Sequence, residues 1–263
     1  MPNQEIINFA NHLADLSAQI AKKYFRLPNG EFNKADDSPV TLADREIEEI
    51  LRAEIKKNYP SHGIIGEEFG NHNLDAELVW ILDPIDGTSS FIIGRPTFGT
   101  LIALTKNGKS ILGIMNQPIT GERWIGVDGD SAWLNKIKIQ SRENCLELQD
   151  AVLCTTSPFF FKNDDEKILK KLINKTKYQN YGGIIYGGDC YLYALLASGF
   201  VDLVIDSGLK SYDYAALIPI IEMAGGVVTN WQGKDLDFKS DSRVLAAGNK
   251  ILHRKALEII NKD

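Results

Sequence analysis

The sequence predicts an α/β protein in two parts, and three observations carry that prediction. Two amphipathic stretches open the chain, a series of short β-rich segments follows, and from about Asp150 onward strand-like and helix-like segments alternate. In the first stretch Ile6, Phe9, Leu13, Leu16, Ile20 and Tyr24 recur every three to four residues, the period of a helix with one buried face. A helix is therefore expected over residues 5–24. After a polar stretch at 29–38, Thr41 opens a second amphipathic run through Ile47, Ile50, Leu51 and Ile55, so two helices are expected before any strand.

From Gly63 the pattern changes to short apolar segments bounded by turn residues, at 63–66, 78–82, 98–105, 111–117 and 122–127. Asn107-Gly108 lies between the third and fourth of these and is the strongest short-range hairpin signal. The set reads as a mostly antiparallel sheet beside the two helices. In the remainder, 151–155, 201–205, 226–229 and 244–247 read as strands, and 164–173, 190–197, 214–224 and 252–260 as helices. No linker-like or low-complexity segment separates residues 1–150 from 151–263. The two parts are expected to form one compact unit with a site between them.

Composition bounds the function. With 263 residues, 44% of them hydrophobic and 24% charged, the chain can bury a core without disulfide or metal staples. Lys and Arg number 29 against 35 Asp and Glu, a net charge of −6 with no basic run, which argues against nucleic acid as a partner. The same surplus of acid argues, at first sight, against a phosphate-bearing substrate. The longest apolar stretch, 212–228, is broken by Asp213, Pro219 and Glu222, so no membrane span is expected. The first residues lack the pattern of a secretion signal. Cys145, Cys154 and Cys190 are an odd number at wide spacing, expected as buried thiols in a reducing compartment, and the expected location is cytoplasmic.

The chemistry concentrates in acids that follow apolar strands. The segment Val79-Trp80-Ile81-Leu82 runs into Asp83-Pro84-Ile85-Asp86-Gly87-Thr88, and Gly63-Ile64-Ile65-Gly66 runs into Glu67-Glu68. Asp213 stands at the start of a helix in the second part. Acids just off strand ends are held rigidly while reaching solvent, whereas an isolated D-P-x-D-G is more often a plain turn. Carboxylates from several elements gathered in one place repel one another and raise one another's pKa unless a divalent cation lies among them. An all-oxygen ligand set points to Mg²⁺ rather than zinc. His12, His62, His72 and His253 have no metal spacing and are expected at the surface or at caps. Gly87-Thr88-Ser89-Ser90 offers backbone N–H groups at a helix start for a phosphate, or an ordinary cap by Thr88 or Ser89. Thr41 and Asp44 have the spacing of a capping box, with Asp44 also a candidate to face the site.

These residues resemble a known family. Gly66-Glu67-Glu68, the 80–88 segment, Tyr212-Asp213 with Ala215-Ala216, and Gly225-Gly226 are similar, in order and spacing, to the signature of the inositol monophosphatase superfamily of Mg²⁺-dependent phosphomonoesterases. Ser38-Pro39-Val40-Thr41 with Ala43-Asp44-Arg45, F-I-I-G-R-P-T-F-G over 91–99, Arg123-Trp124-Ile125-Gly126 and Gly187-Gly188-Asp189-Cys190-Tyr191 resemble its histidinol-phosphate phosphatase branch. The chain departs from that branch at Ser89, where a lysine is common, and at Asp206, where a glutamate is common.

The resemblance implies an αβαβα layered sandwich and a homodimer. It implies two to three Mg²⁺ ions, with Glu67, Asp83 and the Ile85 carbonyl on one, Asp83, Asp86 and Asp213 on a second, and Glu67 helping to hold a third through water. Catalytic roles fall to Glu67 and Thr88, which orient and deprotonate the attacking water, with Asp44 beside them. Gly87, Thr88 and Ser89 bind the phosphate, and Asp86 and Asp213 also border the substrate.

On the alcohol side, Asp189 and Asp206 are counter-charges suited to a cationic leaving group such as histidinol. Asp189 is equally placed for a helix N-cap and Asp206 for a turn. Arg95 is a further candidate for substrate contact, or for a surface ion pair. Trp124, Trp133 and Trp231 are expected in the core or an interface.

The expected activity is hydrolysis of L-histidinol phosphate to L-histidinol and phosphate in histidine biosynthesis, with a small-molecule phosphomonoester as the partner. The alternatives are an inositol-1-monophosphatase or broad sugar-phosphate phosphatase, and, from another class, a catalytically silent metal-binding regulatory protein.

Overall fold

The structure, a computed structural model, describes residues 2–27, 31–33, 39–176, 184–237 and 242–262. Helix α1 (Gln4–Tyr24) starts at Asn3, whose side chain accepts the Ile6 N–H at 2.9 Å. Helix α2 (Leu42–Asn58) starts at Thr41 in a capping box with Asp44. Between them lies a hairpin absent from the sequence expectation, β1 (Glu31–Asn33) paired antiparallel with β2 (Pro39–Thr41). Three-residue strands are too short to give a period-2 signal.

The first sheet is built from β3 (Gly63–Gly66), β4 (Gly70–His72), β5 (Leu78–Asp86), β6 (Gly99–Lys106), β7 (Lys109–Gln117), β8 (Glu122–Val127), β9 (Ala132–Leu134) and β10 (Ile137–Lys138). A five-residue helix, α3 (Thr88–Ile92), follows β5. Strand order is β10-β9-β8-β7-β6-β5-β3-β4, antiparallel except for β3 against β5. Asn107 and Gly108 turn β6 into β7 with φ of 49° and 86°, the left-handed pair that a two-residue hairpin needs.

The second part contains β11 (Leu153–Thr155), α4 (Asp164–Ile173), β12 (Ile185–Tyr186), α5 (Cys190–Ala197), β13 (Leu203–Ser207), α6 (Ser211–Tyr214), α7 (Leu217–Met223), β14 (Val227–Asn230), β15 (Arg243–Ala247) and α8 (Lys250–Ile260). Its sheet has the order β12-β11-β13-β15-β14. The single helix expected over 214–224 is two, α6 and α7. Pro219 has no N–H to offer the Ala215 carbonyl, and the break falls at 215–216, with Pro219 in the first turn of α7.

Alternation along the strands sorts the side chains into three cores and five layers. Trp80, Leu82, Ile102, Leu104, Leu112 and Ile114 pack on Leu13, Ile47, Leu51 and Ile55 of α1 and α2. The opposite face of the same strands, through Val79, Ile81, Leu101 and Ala103, packs on α5 and α7, which in turn cover Val204, Val244 and Ala246 of the second sheet. Leu203, Ile205, Leu245 and Ala247 face α4 and α8. Helices, sheet, helices, sheet and helices therefore stack in the αβαβα order.

Cys145, Cys154 and Cys190 are buried free thiols, and Trp124 and Trp231 lie in the core. The histidines differ from expectation at two positions. His253 is buried against the Thr229 hydroxyl, and burial depresses its pKa to about 4. His62 stacks on Tyr59 and accepts the Trp80 indole N–H at 3.1 Å.

The middle helical layer lies close on the first sheet because Gly113 and Gly126 have no side chains. A Cβ at Gly113 would run into the Ala216 carbonyl, and one at Gly126 into the Pro219–Ile220 backbone. Gly126→Ala is therefore expected to destabilise the protein by about 1–3 kcal/mol through overpacking, read as a lower urea midpoint at unchanged m-value. An unchanged midpoint would show that α7 can move off the sheet freely.

Candidate active site

The end of β5 sets the geometry. In a regular strand residues 83 and 86, an odd number apart, point to opposite faces. Pro84 interrupts that regularity because it has no N–H for the ladder, and the register with β6 shifts between Asp83 and Asp86. The Thr100 hydroxyl donates to the Pro84 carbonyl at 2.8 Å and fixes the irregular stretch. Both carboxylates consequently reach the same place. The acids do not follow the strand, as the sequence suggested, but lie within its last four residues.

Asp213 joins them from α6, where it accepts the Lys210 N–H at 2.7 Å. Oxygens of Asp83, Asp86 and Asp213 lie within 4.8 Å of one another. Asp83 is buried, and its Oδ1 has no hydrogen-bond partner among the described residues, a costly arrangement unless something binds it. Burial, with the charges of Glu67, Asp86 and Asp213, pushes the Asp83 carboxyl well above the usual range. Burial and the charges of Asp189 and Asp213 do the same to Asp86, against the opposing Cys190 N–H, which donates to Asp86 at 2.6 Å. Asp213 is pushed up to about 7, chiefly by burial. Three carboxyls that cannot all ionise together, one with an unused oxygen, fit a divalent cation.

The cluster opens into a cavity of about 540 Å³ between the two parts, a volume ordinary for a small-molecule site. Glu67, Asp83, Ile85, Asp86, Gly87, Thr88 and Ser89 line it from the first part, and Asp189 and Asp213 from the second. Gly87, at φ 85°, occupies the N-cap position of α3 without any side-chain cap, so neither Thr88 nor Ser89 caps that helix. The Thr88 hydroxyl donates to the Ile85 carbonyl at 3.1 Å.

Asp44, Arg95 and Asp206 do not line the cavity. Asp44 is buried in its capping box, accepting the Thr41 N–H at 2.8 Å, with burial raising its pKa to about 7. Asp206 belongs neither to a turn nor to the cavity wall. It is a buried β13 residue that accepts from the Thr155 hydroxyl at 2.7 Å, the Thr156 N–H at 2.8 Å and the Tyr193 hydroxyl at 2.9 Å. Asp189 stands at the N-cap position of α5 but makes no cap bond, accepting instead from the Ser90 hydroxyl at 3.2 Å across the two parts. Burial raises its pKa against that bond and the charge of Arg95, whose exposed guanidinium lies against Gly187. Residues missing from the sequence reading are Thr156, Lys162, Tyr193 and Lys210, which also line the cavity. They sit on loops and a helix of the second part with no motif to mark them.

The model of the inositol monophosphatase family matches residues 2–263. The chain belongs to the inositol monophosphatase family. A chloroplastic bifunctional phosphatase, IMPL2, of Arabidopsis thaliana is 48% identical, the match covering 98% of this chain and 76% of that protein. A histidinol-phosphatase of Chlorobaculum parvum is 33% identical over 97% of this chain and 96% of its own. Among solved structures, an inositol monophosphatase from Zymomonas mobilis superposes with a TM-score of 0.88 at 44% identity, covering 98% of both chains. This family member is thus a phosphatase for small-molecule phosphate esters. Among its described residues no helix is long and apolar enough to cross a membrane.

The raised carboxyls make its stability depend on pH. A carboxyl whose folded pKa exceeds its unfolded value of 3.8 favours the folded state at low pH, and that contribution is lost as pH rises toward about 7, the value for Asp213. A cation among the ionised carboxylates offsets the loss. The rise in Tm on adding Mg²⁺ is therefore expected to be larger at pH 8 than at pH 5, and an equal rise at both would contradict this electrostatic reading.

Proposed function

We propose that the protein is a Mg²⁺-dependent histidinol-phosphatase. The observation that carries the metal-dependent part is the trio Asp83, Asp86 and Asp213 at the base of the cavity, with an unpartnered Asp83 oxygen among them. These three would hold Mg²⁺, with Glu67 and the Ile85 carbonyl completing sites for two to three ions. When bound, such ions lower the pKa of water and balance the charge of a phosphoryl group in transfer.

The chain's own groups do the rest. The Thr88 hydroxyl donates a hydrogen bond to the Ile85 carbonyl, which leaves its Oγ1 lone pairs to accept from a water in the cavity. The Glu67 carboxylate takes the proton of that water. The N–H groups of Gly87, Thr88 and Ser89, residues of the cavity wall, would hold the phosphate.

For the substrate, support comes from the branch-specific motifs, from the relative named histidinol-phosphatase, and from Asp189, an acid on the cavity wall beside Gly87 suited to an ammonium or imidazolium group. Arg95 acts through Asp189 rather than on substrate. Buried free cysteines support a reducing compartment such as the cytoplasm, and a homodimer rests on the family resemblance. The second reading, a phosphatase for inositol or neutral sugar phosphates, is favoured by Asp206, whose oxygens are turned to Thr155, Thr156 and Tyr193, leaving the alcohol side one acid fewer.

Phosphate release with Mg²⁺ across histidinol phosphate, inositol 1-phosphate and a neutral sugar phosphate separates the two. A clear preference for histidinol phosphate is expected, and equal rates would overturn the specific assignment. Asp189→Asn should raise KM for histidinol phosphate by about tenfold, as expected for loss of a charge-assisted contact of ~1.4 kcal/mol, with little change for the neutral substrate. Asp83→Asn should leave the fold intact and lower turnover by more than the ~10–100-fold typical of an outer-shell change. An active Asp83→Asn enzyme would refute the shared-ligand role.

A further inference from the structure

One face of α2 carries a buried polar stripe, Asp44, Glu48 and Arg52, spaced four residues apart within an otherwise apolar surface. Glu48 is wholly buried, and its carboxylate accepts from three donors. Its Oε2 takes the Glu68 N–H at 2.7 Å, and its Oε1 takes the Phe69 N–H at 3.1 Å and the Arg52 Nε at 2.7 Å. Arg52 in turn donates through Nη2 to the Gly70 carbonyl. A Cβ on Gly66 would collide with the Glu48 carboxylate and the Arg52 guanidinium, so the glycine admits the ion pair beneath the chain. The pair therefore binds the backbone from residue 66 to residue 70, the segment that carries Glu67 into the cavity opposite Asp83.

We infer that Glu48 and Arg52 are positioning residues for Glu67, a buried ion pair that fixes the 66–70 turn so that the Glu67 carboxylate is presented to the cation site. The inference rests on the metal-site reading proposed above. Burying two charges solely for stability is a poor bargain, since an apolar pair of the same volume commonly does as well. Here the charges have a directional task. A carboxylate can accept both turn N–H groups and the guanidinium together, which no apolar residue and no amide can do. Outer partners of this kind set the orientation of ligands and commonly change metal affinity by ~10–100-fold.

The test is Mn²⁺ binding to the full chain, followed by the paramagnetic resonance signal of free Mn²⁺, together with hydrogen exchange of the 66–70 segment. Glu48→Gln keeps the shape, but its amide can accept for only part of the set. It is expected to weaken Mn²⁺ binding by about tenfold and to speed exchange at the Glu68 and Phe69 amides. Glu67→Gln should also weaken binding, and adding Glu48→Gln to it should cost little more, because the positioned group is already lost.

Tight binding by Glu48→Gln, or full additivity of the two changes, would overturn the inference. Wild-type protein that binds no Mn²⁺ would overturn the metal-site reading itself and the inference with it, a failure visible before any substitution is made. Should Glu48→Gln not fold, Arg52→Lys keeps the charge but cannot span Glu48 and the Gly70 carbonyl as a planar fork. It should weaken binding in the same direction, and wild-type affinity in that variant would likewise overturn the inference.

Discussion

Repulsion among carboxylates forced into one buried place is the constraint around which this molecule is arranged. Asp83, Asp86 and Asp213 arrive from two different parts of the chain and lie within 4.8 Å of one another. Water would separate them, and an apolar core would exclude them. Each is instead held by backbone. Asp83 lies in β5, Asp86 accepts the Cys190 N–H, and Asp213 accepts the Lys210 N–H. The net charge of −6 is thus a poor guide to the site, since its acids are the ones whose ionisation a cation would offset.

The layered architecture makes the arrangement rigid. The irregular end of β5 can carry two acids to one side because β6 and the Thr100 hydroxyl hold the stretch around Pro84. Helix α7 can lie close on the first sheet because Gly113 and Gly126 clear its path. The contacts that join the two parts at the cavity are polar. Asp86 reaches the start of α5, and Ser90 reaches Asp189. Asp86 therefore touches both the acid cluster and the start of α5.

Much of this was legible in the sequence because it rests on local rules. Periodicity marked α1 and α2, Asn107-Gly108 marked the β6–β7 turn, and apolar runs ending in acids marked the cluster. The failures have physical causes. Strand β13 is displaced by two residues from the expected 201–205, and Asp206, expected as a counter-charge to substrate or else as a turn residue, is a buried acceptor behind the cavity wall. Glu48 and Arg52, four apart on a helix, carry no motif in the sequence, and only the tertiary position of the 66–70 turn accounts for their burial. His253 belongs to no motif, and its contact from α8 with Thr229 of β14 exists only in the folded structure. Strands of two or three residues, such as β4, β9, β10 and β12, exist only through their neighbours.

On the function proposed above, the acid cluster is a divalent-cation site serving phosphoryl transfer. Anomalous diffraction from crystals grown with Mn²⁺ tests it most directly. Anomalous peaks are expected within coordination distance of the Asp83, Asp86 and Asp213 carboxylates. Occupied Mn²⁺ sites elsewhere with none at this cluster would contradict it.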